Sequence, residues 1–220
     1  MFFKDRRDAG RQLARRLSQY VGERDVVVLG IPHGGVPVAF EVAGALHAPL
    51  DVFLSSKLGV PGNEELAFGA LADNGSRVLD QSIIRAAGIS PEQIQQITEL
   101  TEEELRQQAE LYRKTRPALK VEGRIVILVD DGVATGSSIY AAVQALHQMN
   151  PRMIVIAVPV APPSTCSWLS AKVNSLVVLY APFQFQAVGE FYKDFSQTTD
   201  QEVIHLLEQS RAEADQPRNV

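Results

Sequence analysis

Apolar and polar residues alternate along the chain in blocks that predict strands and helices in turn. Short apolar runs rich in Val and Ile are typical of strands covered on both faces. These runs are residues 26–30, 50–54, 125–129, 153–158 and 176–180. Amphipathic or small-residue stretches between them predict helices over residues 36–46, 137–149 and 163–171. The alternation predicts an α/β fold with a mostly parallel, twisted sheet flanked by helices.

The remaining segments predict additions to this core. Residues 5–20 predict a helix, and a strong turn at 73–76 predicts a hairpin of residues 67–72 and 77–79. Ser90 as a cap and Pro91 predict a polar helix to about residue 114, which we expect at the surface or against another subunit. Residues 200–212 predict a last helix.

We expect a single domain over residues 1–215. Its core spans about 25–180, with a helical insertion at about 90–116 and a C-terminal hood and helix at 181–212. Residues 216–220 are predicted to be disordered.

Composition and charge narrow the classes of protein. The formal net charge of −5 argues against nucleic acid as the main partner. No apolar signal core and no 18-residue apolar run are visible, so we expect no membrane partner and a cytoplasmic location. Cys166 is the only cysteine, which excludes an internal disulfide, and no Cys/His cluster indicates zinc.

The segment 125–138 carries the strongest chemical signal. Two carboxylates, Asp130 and Asp131, follow a buried strand, and a run of small and hydroxyl residues then leads into a helix. Backbone N–H groups in such a loop bind phosphate. This predicted phosphate loop consists of Gly132, Val133, Ala134, Thr135, Gly136, Ser137 and Ser138. The carboxylates could hold ribose hydroxyls or a hydrated Mg²⁺, so the segment indicates a site for a phosphorylated sugar.

A strand, two acids, two variable residues, then Thr-Gly and a hydroxyl residue resembles the motif of type I phosphoribosyltransferases. The resemblance implies binding of 5-phosphoribosyl 1-diphosphate (PRPP) with Mg²⁺, and a homodimer. An ordinary α/β turn rich in Asp and Gly is the alternative. A phosphoacceptor receiver domain also has paired acids at a strand end, but it has them near its first strand.

A second loop, residues 30–37, follows the first strand, and Gly34 and Gly35 allow close approach of the backbone. The resemblance implies that His33, Gly34 and Gly35 form a pyrophosphate loop, with a strained or cis peptide nearby. His33 could contact pyrophosphate or face solvent, and the sequence leaves both open.

Lys57 lies just past the second predicted strand, where a cation could neutralise pyrophosphate or simply be exposed. Glu65 could orient Lys57 or be exposed. The Gly- and Pro-rich stretch after Lys57 is predicted to be a mobile loop, and relatives carry a flexible lid in this region. The lid excludes water from an oxocarbenium-like transition state.

Several charged and aromatic side chains have two interpretations. The arginines of the first helix could form a phosphate patch, but a solvated helix face is the favoured interpretation. Arg113, Lys114 and Arg116 could face the phosphate site, and complementing a helix C-terminus is favoured instead. In the hood, Phe183, Phe191 or Tyr192 could stack on a planar base, or could form a satellite hydrophobic cluster.

The resemblance therefore implies a transferase that moves the phosphoribosyl group of PRPP to a small-molecule nitrogenous acceptor and releases pyrophosphate. Asp130, Asp131 and Lys57 are the expected catalytic residues, and the two acids are the expected Mg²⁺ ligands, directly or through water. Related enzymes of 6-oxopurines carry an Asp where this chain has Ala134, which disfavours such a base. A non-catalytic PRPP or nucleotide sensor is one alternative. A domain that works beside a separate enzyme, such as a hydrolase, is another.

Overall fold

The computed structural model describes residues 3–114 and 116–214. The disordered tail predicted at 216–220 lies outside the described residues. In chain order the helices and strands are α1 (Arg6–Arg16), β1 (Val26–Gly30), α2 (Gly35–Leu46), β2 (Leu50–Val52), β3 (Ser55–Val60), β4 (Asn63–Ala72), β5 (Arg77–Leu79), α3 (Gln81–Ala87), α4 (Pro91–Arg113), β6 (Ile125–Val129), α5 (Ser137–His147), β7 (Met153–Val160), α6 (Pro163–Ser170), β8 (Ser175–Tyr180) and α7 (Asp200–Ala214).

The chain divides into two compact units. The first contains residues 3–53, 119–136 and 151–214, and the second contains residues 54–114, 116–118 and 137–150. No helix in the described part of the chain has the length and hydrophobicity needed to cross a membrane.

The first unit is built on a five-stranded sheet in the order β2-β1-β6-β7-β8, and every neighbouring pair is parallel. All residues of β1 and β6 are buried, as expected for strands covered on both faces. The predicted α/β fold with a parallel sheet and flanking helices is therefore confirmed.

Helices α1 and α2 pack against each other and against this sheet at glycines. A Cβ atom on Gly10 would lie 2.7 Å from the carbonyl oxygen of Val38, and one on Gly30 would lie 3.1 Å from the Cα of Val36. The absence of side chains at these positions lets the backbones approach closely.

Helix α1 begins at a capping residue, Asp5. Its carboxylate accepts a hydrogen bond from the Asp8 amide at 2.7 Å, and this cap fixes where the helix begins.

The second unit contains an antiparallel sheet in the order β3-β4-β5, with α3, α4 and α5 packed on it. The pairing of β4 with β5 agrees with the predicted hairpin, whereas strand β3 and the first part of β4 were not predicted. Gly59 lies at an irregularity in the pairing of β3 with β4, and Gly62 has φ +77° in the turn. Glycine thus marks a bulge and a tight turn of a β-ribbon.

The insertion helix begins as predicted. Ser90 accepts a hydrogen bond from the Gln93 amide at 3.3 Å, while the Gln93 side chain accepts one from the Ser90 amide at 2.9 Å. This reciprocal capping box satisfies two donors that the first turn leaves without partners.

Arg113, at the end of α4, has a structural role that its sequence neighbourhood does not predict. Its guanidinium forms an ion pair with Asp73, in the turn between β4 and β5, and both side chains are buried. Arg113 is also the basic residue of the last turn of α4, as the favoured interpretation predicted, so the contact with Asp73 adds a structural role to the helix-end role.

Candidate functional site

Two loops leave the parallel sheet side by side. Gly30, the last residue of β1, pairs with Val129, the last residue of β6. The Ile31 amide donates a hydrogen bond to the Val129 carbonyl oxygen at 2.9 Å. Residues 31–35 and 130–136 therefore start at the same point of the carboxyl edge, where parallel sheets bind ligands.

The two loops touch at a pair of glycines. A Cβ atom on Gly35 would lie 2.7 Å from the Val129 carbonyl oxygen and 2.9 Å from the Cα of Asp130. A Cβ atom on Gly34 would overlap the carboxylate of Asp131. The structure thus brings the predicted pyrophosphate loop into contact with the predicted acidic pair, and only glycine fits at the junction.

The peptide bond between Pro32 and His33 is cis. The His33 imidazole is half exposed, and its Nε2 lies 3.0 Å from the Asp200 carboxylate at the start of α7. His33 thus partly faces solvent and pairs with Asp200, and its contact with pyrophosphate stays a prediction.

Asp130 and Asp131 form an adjacent pair of acidic side chains. The Asp131 amide donates a hydrogen bond to Asp130 Oδ1 at 2.9 Å. Withdrawal from water and, second, the charge of Asp131 raise the pKa of Asp130 well above its usual value. Withdrawal from water also raises the pKa of Asp131. Two carboxylates held in such surroundings favour a ligand that brings hydroxyl donors or positive charge.

Arg6, on the first turn of α1, provides positive charge at this pair. Its Nε lies 2.8 Å from Asp131 Oδ2, and its side chain is 11% exposed. Its Nη1 donates to the Ser196 carbonyl oxygen at 2.6 Å, and the guanidinium lies 3.9 Å from the centre of the Phe195 ring. The ion pair partly offsets the rise in the pKa of Asp131. For Arg6, the favoured interpretation as a solvated helix face was wrong.

Tyr192 binds the backbone of Asp131. Its hydroxyl donates a hydrogen bond to the Asp131 carbonyl oxygen at 2.5 Å. Burial and the charge of Asp131 raise the pKa of Tyr192, so the hydroxyl keeps its proton and remains a donor. The backbone and the side chain of Asp131 are thus fixed from two different segments.

The first part of the predicted phosphate loop packs tightly against β7. The Val133 amide donates to the Val160 carbonyl oxygen at 2.9 Å. A Cβ atom on Gly132 would lie 2.5 Å from Val188 Cγ1 and 2.9 Å from Val160 Cγ1. The loop therefore turns sharply directly after the acidic pair.

The second part of the loop is supported by α6. The Thr165 hydroxyl donates to the Ala134 carbonyl oxygen at 2.7 Å. Gly136 has φ +85°, a conformation that favours glycine, and a Cβ atom on it would lie 2.9 Å from Cζ3 of the Trp168 ring. Ala134 and Thr135 remain exposed at the loop tip, where a phosphate group could approach.

Lys57, Ser137 and Ser138 belong to the second unit. Ser137 and Ser138 form the start of α5, as predicted. Lys57 follows β2, as predicted, and lies within β3 opposite Ala70. Its Nζ lies 3.4 Å from the exposed Glu65 carboxylate, so Glu65 contacts Lys57.

The Lys57 side chain also lines a groove of about 500 Å³ between the β3–β4 ribbon and α4. Gln93, Ile97 and Leu100 form part of the opposite wall. Lys57 thus borders open space of the size that small-molecule pockets occupy.

The aromatic residues of the hood divide into two groups. Phe191 and Tyr192 are buried in a cluster with Phe3 and Val160, which supports the interpretation of a hydrophobic cluster and rules against base stacking by these two rings. Phe183 is 95% exposed and remains available to a ligand.

The roles of Arg6, Tyr192 and Thr165 were not predicted from the sequence. Arg6 is 125 positions from Asp131, and Tyr192 is 61 positions from it. No local spacing connects residues so far apart. Five arginines lie on α1, and the sequence does not indicate which of them points toward Asp131.

The chain matches the family model described as phosphoribosyl transferase domain over residues 4–189. A protein of Aquifex aeolicus, AQ2163, shares the fold at 11% identity, with a TM-score of 0.51 over 84% of this chain and 78% of that one. The fold and the family match define a type I phosphoribosyltransferase architecture.

The chain belongs to the phosphoribosyl transferase family. It is 44% identical over 208 residues to a Mycobacterium tuberculosis protein that is provisionally named a phosphoribosyl transferase. The match covers 94% of this chain and 47% of that relative, so the chain spans about half the relative's length. It is also 44% identical to the protein TT1426 from Thermus thermophilus, with a TM-score of 0.87 over 95% of this chain and 99% of that one.

Proposed function

We propose that the protein transfers the 5-phosphoribosyl group of PRPP to a nitrogen atom of a small acceptor and releases pyrophosphate. The observation that carries this proposal is the contact of Gly34 with the Asp131 carboxylate at the carboxyl edge of the sheet. A sugar that carries a diphosphate next to its diol needs an anion-binding loop and a pair of carboxylates side by side.

In this proposal Asp130 and Asp131 accept hydrogen bonds from the ribose 2′- and 3′-hydroxyls. Their raised pKa values support the assignment, because hydroxyl donors and positive charge stabilise the ionised carboxylates. Gly132 to Ser138 cradle the 5′-phosphate with backbone N–H groups and hydroxyls. His33 to Gly35 and Lys57 bind the pyrophosphate.

Magnesium fits the chemistry of the acidic pair. Mg²⁺ prefers carboxylate oxygens and keeps several waters, so two protein carboxylates and oxygens of the substrate suffice. The described residues contain no group of three or more His, Cys, Asp or Glu that could hold a metal without such help. Asp130 and Asp131 would hold the ion, directly or through water, and the bound ion would neutralise the charge of the leaving diphosphate.

The reaction needs little acid–base assistance from the protein. The acceptor lone pair forms a bond to C1 of the ribose while the bond from C1 to the diphosphate oxygen breaks, and that electron pair leaves with pyrophosphate. A proton on the acceptor nitrogen passes to the released pyrophosphate or to water. Fixed charges and hydrogen-bond donors stabilise the separating charges. Ala134 cannot exchange a proton with an acceptor ring, so we propose a base that is not a 6-oxopurine.

We further propose that the protein acts as a homodimer, which light scattering after gel filtration would test.

A second candidate is a domain that binds PRPP or a nucleotide without turnover and works with another protein segment. The length of the mycobacterial relative, about twice the matched region, favours this candidate. Steady release of pyrophosphate with some acceptor separates an enzyme from a binding domain.

The first test is a thermal-shift titration with PRPP plus Mg²⁺, against Mg²⁺ alone and ribose 5-phosphate. Ligand at about 100 times its dissociation constant adds about 2.7 kcal/mol of stability. We expect Asp131→Ala and Thr135→Ala to lose this stabilisation. Asp25→Ala is the control, because Asp25 precedes β1 at the opposite edge of the sheet in an exposed pair with Arg152. Retention of PRPP binding in both site variants would contradict the site assignment.

A further inference from the structure

The Arg6 side chain lies over both loops of the proposed site. Besides its ion pair with Asp131, its Nε lies 3.0 Å from the position that a Cβ atom on Gly34 would take. Its side chain and that of Asp131 are 11% and 14% exposed, so both are largely withdrawn from water. A guanidinium in this place meets the acidic pair and the glycine loop at their junction.

The other arginines of α1 behave differently. Arg7 and Arg11 both pair with Glu41 on α2, at 2.6 Å and 3.4 Å, and their side chains are about half exposed. Arg6 is therefore distinguished from its neighbours by burial, by its partner and by its second contact with the Ser196 carbonyl oxygen.

The segment before Arg6 is tied to the hood. The Phe3 amide donates to the Phe191 carbonyl oxygen, and the Lys193 amide donates to the Phe3 carbonyl oxygen, both at 2.8 Å. The Phe3 and Tyr192 rings pack with their centres 5.3 Å apart. These contacts fix the start of α1 next to Tyr192, whose hydroxyl binds the Asp131 backbone.

From these contacts we infer that Arg6 is a positioning residue of the reaction and the resident counter-cation of the acidic motif. It holds Asp131 through Oδ2, so that the carboxylate has one orientation toward the ribose diol. It also supplies fixed positive charge between the two carboxylates and the pyrophosphate loop. This inference rests on the proposed function for its choice of ligand, and on the contacts above for the role of Arg6.

The binding test compares Arg6→Gln, Arg6→Lys and the control Arg7→Gln by calorimetry with ribose 5-phosphate and with PRPP, at one Mg²⁺ concentration. Residues that orient a ligating group change affinity by about 10- to 100-fold when replaced. We expect Arg6→Gln to weaken both ligands by at least about tenfold, because both carry the diol that Asp131 receives. Arg7→Gln should bind both as the wild type does.

Arg6→Lys should recover part of the affinity, since it keeps the charge but lacks the planar fork that reaches Asp131 and Ser196 together. Lysine no better than glutamine would contradict the role as counter-cation. A loss confined to PRPP would also contradict the inference, because Arg6 would then bind the diphosphate and not position the diol receptor.

A second readout uses Mg²⁺ alone, followed by thermal shift. Without Arg6, the two carboxylates lack their nearest positive charge and attract a divalent cation more strongly. We expect Mg²⁺ to stabilise Arg6→Gln more than it stabilises the wild type or Arg7→Gln. Equal shifts in all three would overturn the inference.

The two readouts separate this inference from the proposed function. If the wild type binds neither phosphosugar, the proposed function fails, while the Mg²⁺ comparison still decides the role of Arg6. If the wild type binds both and Arg6→Gln binds them equally well, only the inference fails.

Discussion

The carboxylate of Asp131 lies against Gly34 so closely that a Cβ atom on Gly34 would overlap it. We therefore expect Gly34→Ala to displace the acidic pair, to lower stability by about 1–3 kcal/mol as overpacking does, and to abolish PRPP binding. Urea denaturation and calorimetry measure the two effects. Gly44→Ala is the control, because nothing lies within 4 Å of a Cβ atom on that exposed position of α2. It should gain up to about 1 kcal/mol from better helix propensity.

Asp130 should make the native state less stable at neutral pH. Its pKa is raised by burial and by the charge of Asp131, so the native state binds its proton more tightly than the unfolded state does. Below about pH 4 the carboxyl is protonated in both states and does not change the free energy of unfolding. As the pH rises to the native-state pKa, ionisation of Asp130 lowers the free energy of unfolding, and above that pKa the loss is complete.

Asp130→Asn should therefore raise the free energy of unfolding at about pH 7 and lose the advantage toward about pH 4, while PRPP binding is lost. Urea denaturation across this pH range measures the difference.

Asp194→Asn should instead lower the free energy of unfolding at neutral pH, because hydrogen bonds from Ser196 lower the pKa of Asp194. The Asp194 carboxylate stabilises the native state at neutral pH, and this contribution disappears as the pH falls. A pH-independent gain for Asp130→Asn would contradict the assignment.

Removal of one partner of the buried pair of Arg113 and Asp73 should destabilise the second unit. Arg113→Met removes the guanidinium that pairs with the buried Asp73 carboxylate, and breaking a buried ion pair in this way costs about 3–5 kcal/mol. Arg106→Gln is the matched control, because Arg106 pairs with Glu103 and Glu110 on the exposed face of the same helix. Exposed pairs of this kind contribute little, so its melting temperature should stay near that of the wild type. Equal melting temperatures for both variants would show that burial of the pair does not matter.

Buried and exposed aromatic residues of the hood should differ in how much their removal lowers the free energy of unfolding. Phe191→Ala removes a ring that is 8% exposed from the cluster and should cost about 3–5 kcal/mol. Phe183→Ala should change stability by less than about 0.5 kcal/mol, because that ring is 95% exposed. If Phe183 stacks on a planar acceptor, its removal raises the KM for the acceptor and leaves the KM for PRPP unchanged. A large loss of stability in Phe183→Ala would show that the ring packs in solution.

The sequence was sufficient to predict the parallel sheet, its covering helices and the position of the acidic motif. A run of β-branched apolar residues such as 125–129 predicts a buried strand from composition alone, and the cap at Ser90 follows from a local sequence pattern. The β3–β4 ribbon was not predicted, because Gly59 and Gly62 read as a loop until the pairing of the strands is known. Helix α3 was missed as well, since its seven residues bury only one side chain, Ile84.

The sequence by itself therefore determined which segments form the site, because strand, acids and small-residue loop are contiguous in the chain. Only the tertiary structure decided which distant side chains complete it. Arg6 and Tyr192 meet at Asp131 because bridges between residues 3–4 and 191–194 join the two ends of the first unit. Such contacts depend on packing in three dimensions, and nothing in the local spacing of an arginine or a tyrosine encodes the partner that it finds.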